Sequence, residues 1–255
     1  MLVNDETALG RFCARILGWA PSRADVVEQA IRSIELAAEH RAALVLLGET
    51  DLVPIAYALH RRTLGAAHPF VVADRRRGNT PASIRSPANY VKGVGAVVAA
   101  RDGSLCIRYP RAPSDFPLVV QLVRDLSARV QLIICAEARF ERHPFLTLPV
   151  PIRVPSLRTR TKELPRIIDE YATEAIHELH ATVASFTAAD RQWILANDPL
   201  TLPEIEKATV RTVAIRMSKS VPRAAERLGM APVSLQRWLD RRKLPWPPDH
   251  ETENQ

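Results

Sequence analysis

Aromatic side chains are scarce in this chain of 255 residues: Phe, Trp and Tyr make up 5% of it, against a hydrophobic fraction of 47%. Its core must therefore be built mostly from Ala, Leu, Val and Ile, and the length gives room for one large domain or two smaller ones. Cysteine is scarce too. Cys13, Cys106 and Cys135 are widely spaced and form no C-x-x-C. That pattern speaks against a disulfide framework and fits free, buried thiols in a reducing compartment. None of the seven histidines stands at metal-ligand spacing. No stretch is apolar enough to cross a bilayer. The first residues also lack the basic segment and apolar run of a secretory signal. The cytoplasm is the expected compartment. Acidic residues are in deficit, 28 against 35 Lys and Arg, for a net charge of +7. Such a balance favours an anionic partner such as nucleic acid. The excess is concentrated in residues 204–243, where ten Lys or Arg face four acids.

The densest pattern lies in residues 221–244, VPRAAERLGMAPVSLQRWLDRRKL. Ala224, Ala225 and Leu228 form the apolar stripe of one short helix. Gly229 ends it at a position that favours positive φ, and Pro232 suits the first turn of a second helix, where its missing N–H costs nothing. Leu235, Trp238 and Leu239 then recur at i, i+3 and i+4 and face back onto the first helix. Ser234, Gln236, Arg237, Arg241, Arg242 and Lys243 lie off that stripe. Two readings fit the spacing: a helical hairpin with a solvated basic face, or a helix-turn-helix whose second helix enters the DNA major groove. The residue types favour the second, because Gln and Arg read base edges while Arg and Lys hold phosphates. Ser234, Gln236 and Arg237 are the base-edge candidates; Arg223, Arg241, Arg242 and Lys243 are the phosphate candidates.

The preceding chain reads as α/β. Residues 6–18 suggest a short helix, and 25–40 an amphipathic one with Val26, Ala30, Ile31, Ile34 and Ala37 at helical spacing. The apolar run 43–47, ending at Gly48, has the character of a buried parallel strand. Helix 52–60 and strand 69–73 complete an α/β unit. Residues 74–90 are polar and Arg-rich and read as a loop or weak helix. Strands follow at 104–109, 130–135 and 151–154, with a helix at 116–126 between the first two. After Pro155 the strands stop. Helices are expected over 163–186, over 187–196 with Thr187 as N-cap, and over 203–217.

Several segments stand in an order that carries more. They are Gly48-Glu49-Thr50 with Ala56-Tyr57-Ala58-Leu59-His60, then Pro69-Phe70-Val71, then Gly103-Ser104-Leu105, then Gln131-Leu132-Ile133-Ile134-Cys135-Ala136. Pro155-Ser156-Leu157-Arg158-Thr159-Arg160, Glu163-Leu164-Pro165 and the stretch from Ala224-Ala225 to Leu239 complete the series. From about residue 26 to 244 this order resembles the NtrC-type, sigma-54-dependent transcription activators, which join an AAA+ ATPase domain to a C-terminal Fis-like helix-turn-helix. The segments resemble, in turn, that family's phosphate loop and following helix, its Pro-Phe-Val strand, the start of its Walker B strand, its sensor I strand, its Pro-Pro-Leu-Arg-x-Arg and Asp-Ile-Pro region, and its Fis-like motif.

The departures from the family are systematic. A phosphate loop needs G-x-x-x-x-G-K-[ST], whose glycines, lysine and hydroxyl hold phosphates and Mg²⁺. Here the loop reads GETDLVPIA, with Leu52 near the lysine position and Pro54 lacking an N–H. Arg108-Tyr109 stands where Walker B places Asp-Glu, and a cation there repels Mg²⁺. Glu137 stands at the sensor I polar position, the arginine-finger segment is shortened to Phe145-Leu146-Thr147-Leu148, and the sensor II Arg is replaced near Pro203. The sigma-contacting Gly-Ala-Phe-Thr-Gly-Ala loop has no counterpart between Asp74 and Gly103, and no receiver domain is expected before the fold.

The expected organisation is a degenerate AAA+-like α/β domain over 1–155, with a five-stranded parallel P-loop-like sheet flanked by helices. A helical lid-like segment over 156–200, a Fis-like helix-turn-helix over 201–246 and a disordered tail over 247–255 follow. The expected function is sequence-specific binding of double-stranded DNA by a transcription regulator that does not hydrolyse ATP. Fis-like units work as dimers, so the resemblance implies a homodimer or higher oligomer, with Ile205, Ala208, Val213 and Ile215 as its surface. The alternative is a protein-interaction or effector-sensing module that co-assembles with an active AAA+ activator or with polymerase. No catalytic, cofactor-binding or metal-binding residue and no membrane partner is expected. Glu49 and His60 could suggest an acid/base pair but occupy positions tied to the fold. The run Asp74-Arg75-Arg76-Arg77 reads as a solvated loop, Cys135 as a structural thiol, Trp193 and Trp238 as core anchors, and Trp246 as part of the tail. Ser104, Ser156 and Ser234 lack the G-x-S-x-G elbow of a nucleophilic serine.

Overall fold

The structure, a computed structural model, describes residues 7–83, 86–140 and 150–244. It divides after Thr159 into two compact units, each described by itself. The segment 145–148 and the tail with Trp246 lie outside the described residues.

The first unit opens with α1 (Ala8–Leu17) and α2 (Ala24–Glu39). Thr7 caps α1 by accepting the Gly10 N–H at 2.9 Å. In α2 the buried stripe is Val27, Ala30, Ile34, Ala37 and Ala38, while Val26, expected to face inward, is exposed. There follow β1 (Leu44–Gly48), α3 (Val53–Thr63), β2 (Phe70–Ala73), β3 (Ala88–Tyr90), α4 (Gly93–Ala99), β4 (Ser104–Tyr109), α5 (Phe116–Arg124), β5 (Gln131–Glu137) and β6 (Ile152–Arg153). The strands form one sheet in the order β3-β2-β4-β5-β1-β6, and every neighbouring pair is parallel.

The sheet therefore has six strands, not five. The additional strand, β3, arises inside the polar stretch read as a loop, and a polar residue makes it. Asn89 is buried, and its Nδ2 donates to the carbonyls of Asp74, Arg77 and Gly78 at 3.3, 3.3 and 3.0 Å. Its backbone also pairs with Thr80. This pairing satisfies the loop's own carbonyls and draws a short edge strand onto β2 without any apolar run.

Both faces of the central strands are buried, as parallel sheets require. Val45, Leu47, Val71, Leu105, Ile107, Leu132 and Ile134 pack with Ala96, Val97, Phe116 and Val119 of α4 and α5. The alternate positions Leu44, Leu46, Val72, Cys106, Ile133 and Cys135 are buried on the other face. Between α4 and β4 the chain passes so close to Pro69 that a Cβ on Gly103 would stand 2.0 Å from the Pro69 carbonyl oxygen. Only glycine fits there.

The second unit is helical: α6 (Leu164–Leu179), α7 (Ala188–Ala196), α8 (Leu202–Ser218), α9 (Val221–Arg227) and α10 (Pro232–Arg242). Thr187 and Asp190 form a capping box at the start of α7, and Thr201 and Glu204 form one at the start of α8. Each satisfies two donors that a helix start leaves open. Asp190 does more: its Oδ1 accepts from Arg216 Nε at 3.0 Å and Nη2 at 2.7 Å, which ties α7 to α8.

α8 corrects the expectation of a dimer surface. Ile205, Ala208, Val213 and Ile215 are all buried within the protomer, as are Thr209, Thr212 and Ala214. A helix covered on most sides is the centre of its own core rather than a docking face.

Candidate nucleic-acid interface

α9 and α10 are joined by residues 228–231. Gly229 takes φ of +59°, and the Met230 N–H returns to the Ala225 carbonyl at 2.9 Å, so the turn closes the first helix as a C-terminal cap does. Pro232 opens α10. Ala224, Ala225 and Leu228 meet Leu235, Trp238 and Leu239 in the buried seam, each at most 6% exposed.

Trp238 organises this end of the unit. Its ring meets Trp193 of α7 edge-on at 5.8 Å. The Arg211 guanidinium of α8 lies over it at 5.1 Å and that of Arg242 at 5.6 Å. Trp193 Nε1 donates to the Arg242 carbonyl at 3.2 Å. Cations over an indole face are held by the ring quadrupole, so these contacts tie α10 to α7 and α8 in addition to its seam with α9.

The expected DNA-contacting residues do not all share one situation. Arg223, Ser234, Gln236, Arg237, Arg241 and Lys243 are exposed. Arg242 is half-buried and spends its guanidinium on Trp238. Gln236 is turned along its own helix, with Nε2 donating to Asp240 Oδ1 at 2.8 Å. That bond occupies a donor needed to read adenine in the two-bond manner. Lys219 and Arg227 are further exposed cations that the stripe pattern does not single out; Lys219 precedes α9 and Arg227 ends it, and charge alone, not periodicity, marks them.

A second candidate region is the carboxyl edge of the sheet, where open α/β folds place ligands. Arg108, near the end of β4, donates from Nη2 to Asp51 Oδ2 in the loop after β1 at 2.7 Å. Its Nε lies 3.7 Å from Asp74 Oδ2. Asp74 is fully buried; it also accepts the Arg76 N–H at 2.9 Å and lies 3.4 Å from Arg111 Nη1 and 3.9 Å from Arg77 Nε. The first residue of the supposed solvated run is thus the buried hub of an ion-pair cluster. The loop that the resemblance likens to a phosphate loop is tied down by a carboxylate of its own.

His60 and Glu49 do not come together. Glu49 is exposed beyond β1, whereas His60 is buried with Nε2 donating to the His68 carbonyl at 3.0 Å. That bond leaves Nδ1 as acceptor for the Ser104 hydroxyl at 2.8 Å. Burial lowers the His60 pKa and keeps the ring neutral. Cys135 Sγ lies 3.6 Å from Cys106 Sγ, and its thiol is pushed up first by that neighbour and then by burial. A thiol so held is no nucleophile at neutral pH.

The sequence matches no protein-family model and no curated protein. Among solved structures it is similar to NtrX from Brucella abortus. The complex of that protein with ADP aligns with a TM-score of 0.44 at 15% identity, over 92% of this chain and 72% of that one. A second structure of NtrX gives 0.47 at 14%, over 92% and 70%. The complex with ATP gives 0.43 at 15%, over 86% and 68%. Likenesses of this size transfer no residue roles, and the nucleotides belong to those structures. Among the described residues, no helix is long and apolar enough to cross a membrane.

Proposed function

We propose that this chain is a sequence-specific DNA-binding transcription regulator of the cytoplasm, carrying an AAA+-like α/β unit that does not hydrolyse ATP. The observation that carries the reading is the outer face of α10. Its apolar stripe is consumed by packing, its orientation is fixed through Trp238, and Arg237, Arg241 and Lys243 are exposed. A rigid helix that holds cations and short polar side chains in water has the chemistry of a major-groove reader, in which phosphate contacts set the register and base edges supply specificity. The non-hydrolysing half of the reading is supported by Arg108. Held between Asp51 and Asp74, it places positive charge where an ATPase needs acids to hold Mg²⁺.

The test is binding of duplex DNA by the purified chain. Genomic fragments shift at low salt, selection from a random pool yields a defined motif, and Arg237→Ala and Arg241→Ala weaken binding while the fold is retained. A chain that shifts no fragment at low salt is not a DNA-binding regulator. Phosphate release from ATP and Mg²⁺ tests the second half, and measurable turnover would remove it.

A further inference from the structure

We infer that α10 reads the 5-methyl group of a thymine through Val233, next to a guanine read by Arg237; this rests on the DNA-binding function proposed above. Val233 is 56% exposed, and it is an apolar side chain on a face otherwise polar or charged. At about 100° per residue, Val233 and Arg237 lie about 40° apart around the helix. They are centred opposite the buried stripe of Leu235, Trp238 and Leu239. Ser234 and Gln236 fall to either side of that centre, and Gln236 is engaged with Asp240 at 2.8 Å. The two side chains that project most directly outward from the first half of α10 are therefore a branched hydrocarbon and a guanidinium. In the major groove an apolar group finds one apolar partner, the thymine methyl, and Arg pairs best with guanine O6 and N7. Four residues of helix rise about 6 Å, and base pairs stack about 3.4 Å apart, so the thymine lies within about two base pairs of the guanine. Exposed Arg223 and Arg227 on α9, and Arg241 and Lys243 at the far end of α10, supply the charge that phosphates require.

The experiment uses the full chain and the duplex selected from a random pool. Each thymine is replaced singly by deoxyuridine, which lacks only the methyl. At one position binding weakens about fourfold, the worth of one buried methyl group. In Val233→Ser the thymine and uracil duplexes bind equally, while the requirement for guanine persists; in Arg237→Ala the guanine requirement is the one that relaxes. Selected sites without a required thymine, or uniform indifference to deoxyuridine in the unaltered chain, overturn the inference and leave the DNA-binding function standing. Failure to bind any duplex removes both.

Discussion

Arginine at the carboxyl edge of the sheet and arginine on α10 are the same residue put to opposite uses. Arg108 reaches Asp51 at 2.7 Å and lies 3.7 Å from the buried Asp74. Arg237 and Arg241 are exposed and stand in water on the outer face of their helix. At the sheet edge the chain supplies its own counter-charges, so an incoming anion would have to displace carboxylates already in place. On α10 the engaged groups are Gln236 and Arg242, not Arg237 and Arg241. Charge alone does not mark a binding site; the arginines of the two regions differ in whether the fold already uses their charge.

The largest expected effect tests the first half of that contrast. Asp74→Ala removes the carboxylate beside Arg108 and Arg111 and leaves Arg108 mostly buried with fewer counter-charges. Breaking a buried pair in this way costs about 3 kcal/mol, which denaturant unfolding of the first unit reads directly. DNA affinity per folded molecule stays unchanged. Retained stability in this variant would show the cluster to be incidental. Arg237→Ala tests the other half. It loses about 1–3 kcal/mol of base discrimination, measured as relaxed preference in competition binding, with an unfolding curve that overlays the parent.

The third effect lies again in the first unit and concerns protons. His60 is neutral when folded and its pKa is lowered by burial. The unfolded chain thus binds a proton that the folded chain refuses, and stability rises with pH across this window. Stability contributed by neutral His60 is present above the ordinary histidine value of about 6.5 and is lost as pH falls below it toward the depressed folded value. In His60→Gln this part of the pH slope disappears. The same variant leaves the pH dependence of DNA binding by folded protein unaltered, because His60 belongs to the α/β unit and its network closes on Ser104 and His68.

What the sequence revealed follows the range of the interactions. β1 and β5 were legible because continuous apolar runs are a local signal, and the seam of α9 and α10 because Leu235, Trp238 and Leu239 repeat at helical spacing. β3 was not, since Asn89 makes it by bonding carbonyls 11 to 15 residues away. The partner of Arg108 is 57 residues distant in Asp51, and no pattern along the chain marks such a pair. The apolar residues of α8 were legible as apolar, but not what they face: a stripe read as a dimer surface is the centre of the second unit's core. Residue type singles out Gln236 and passes over Val233, whereas projection around the helix sets Val233 opposite the buried stripe and Gln236 to its side.

The smallest effect separates cations within α10 and its C-terminal cap. Arg241 and Lys243 are exposed, whereas the Arg242 guanidinium lies over Trp238. Removing one cation that holds a phosphate should flatten the dependence of log K on log salt by about 0.9. Arg241→Ala and Lys243→Ala should each do so and leave sequence preference and stability alone. Arg242→Ala should instead lower stability by about 0.5–1 kcal/mol, the worth of a cation over an indole at a partly exposed site, with little change in the salt slope. If Arg242→Ala flattened the slope as Arg241→Ala does, its guanidinium would leave Trp238 for phosphate on binding. The boundary between internally used and unused charge would then run through that one side chain rather than beside it.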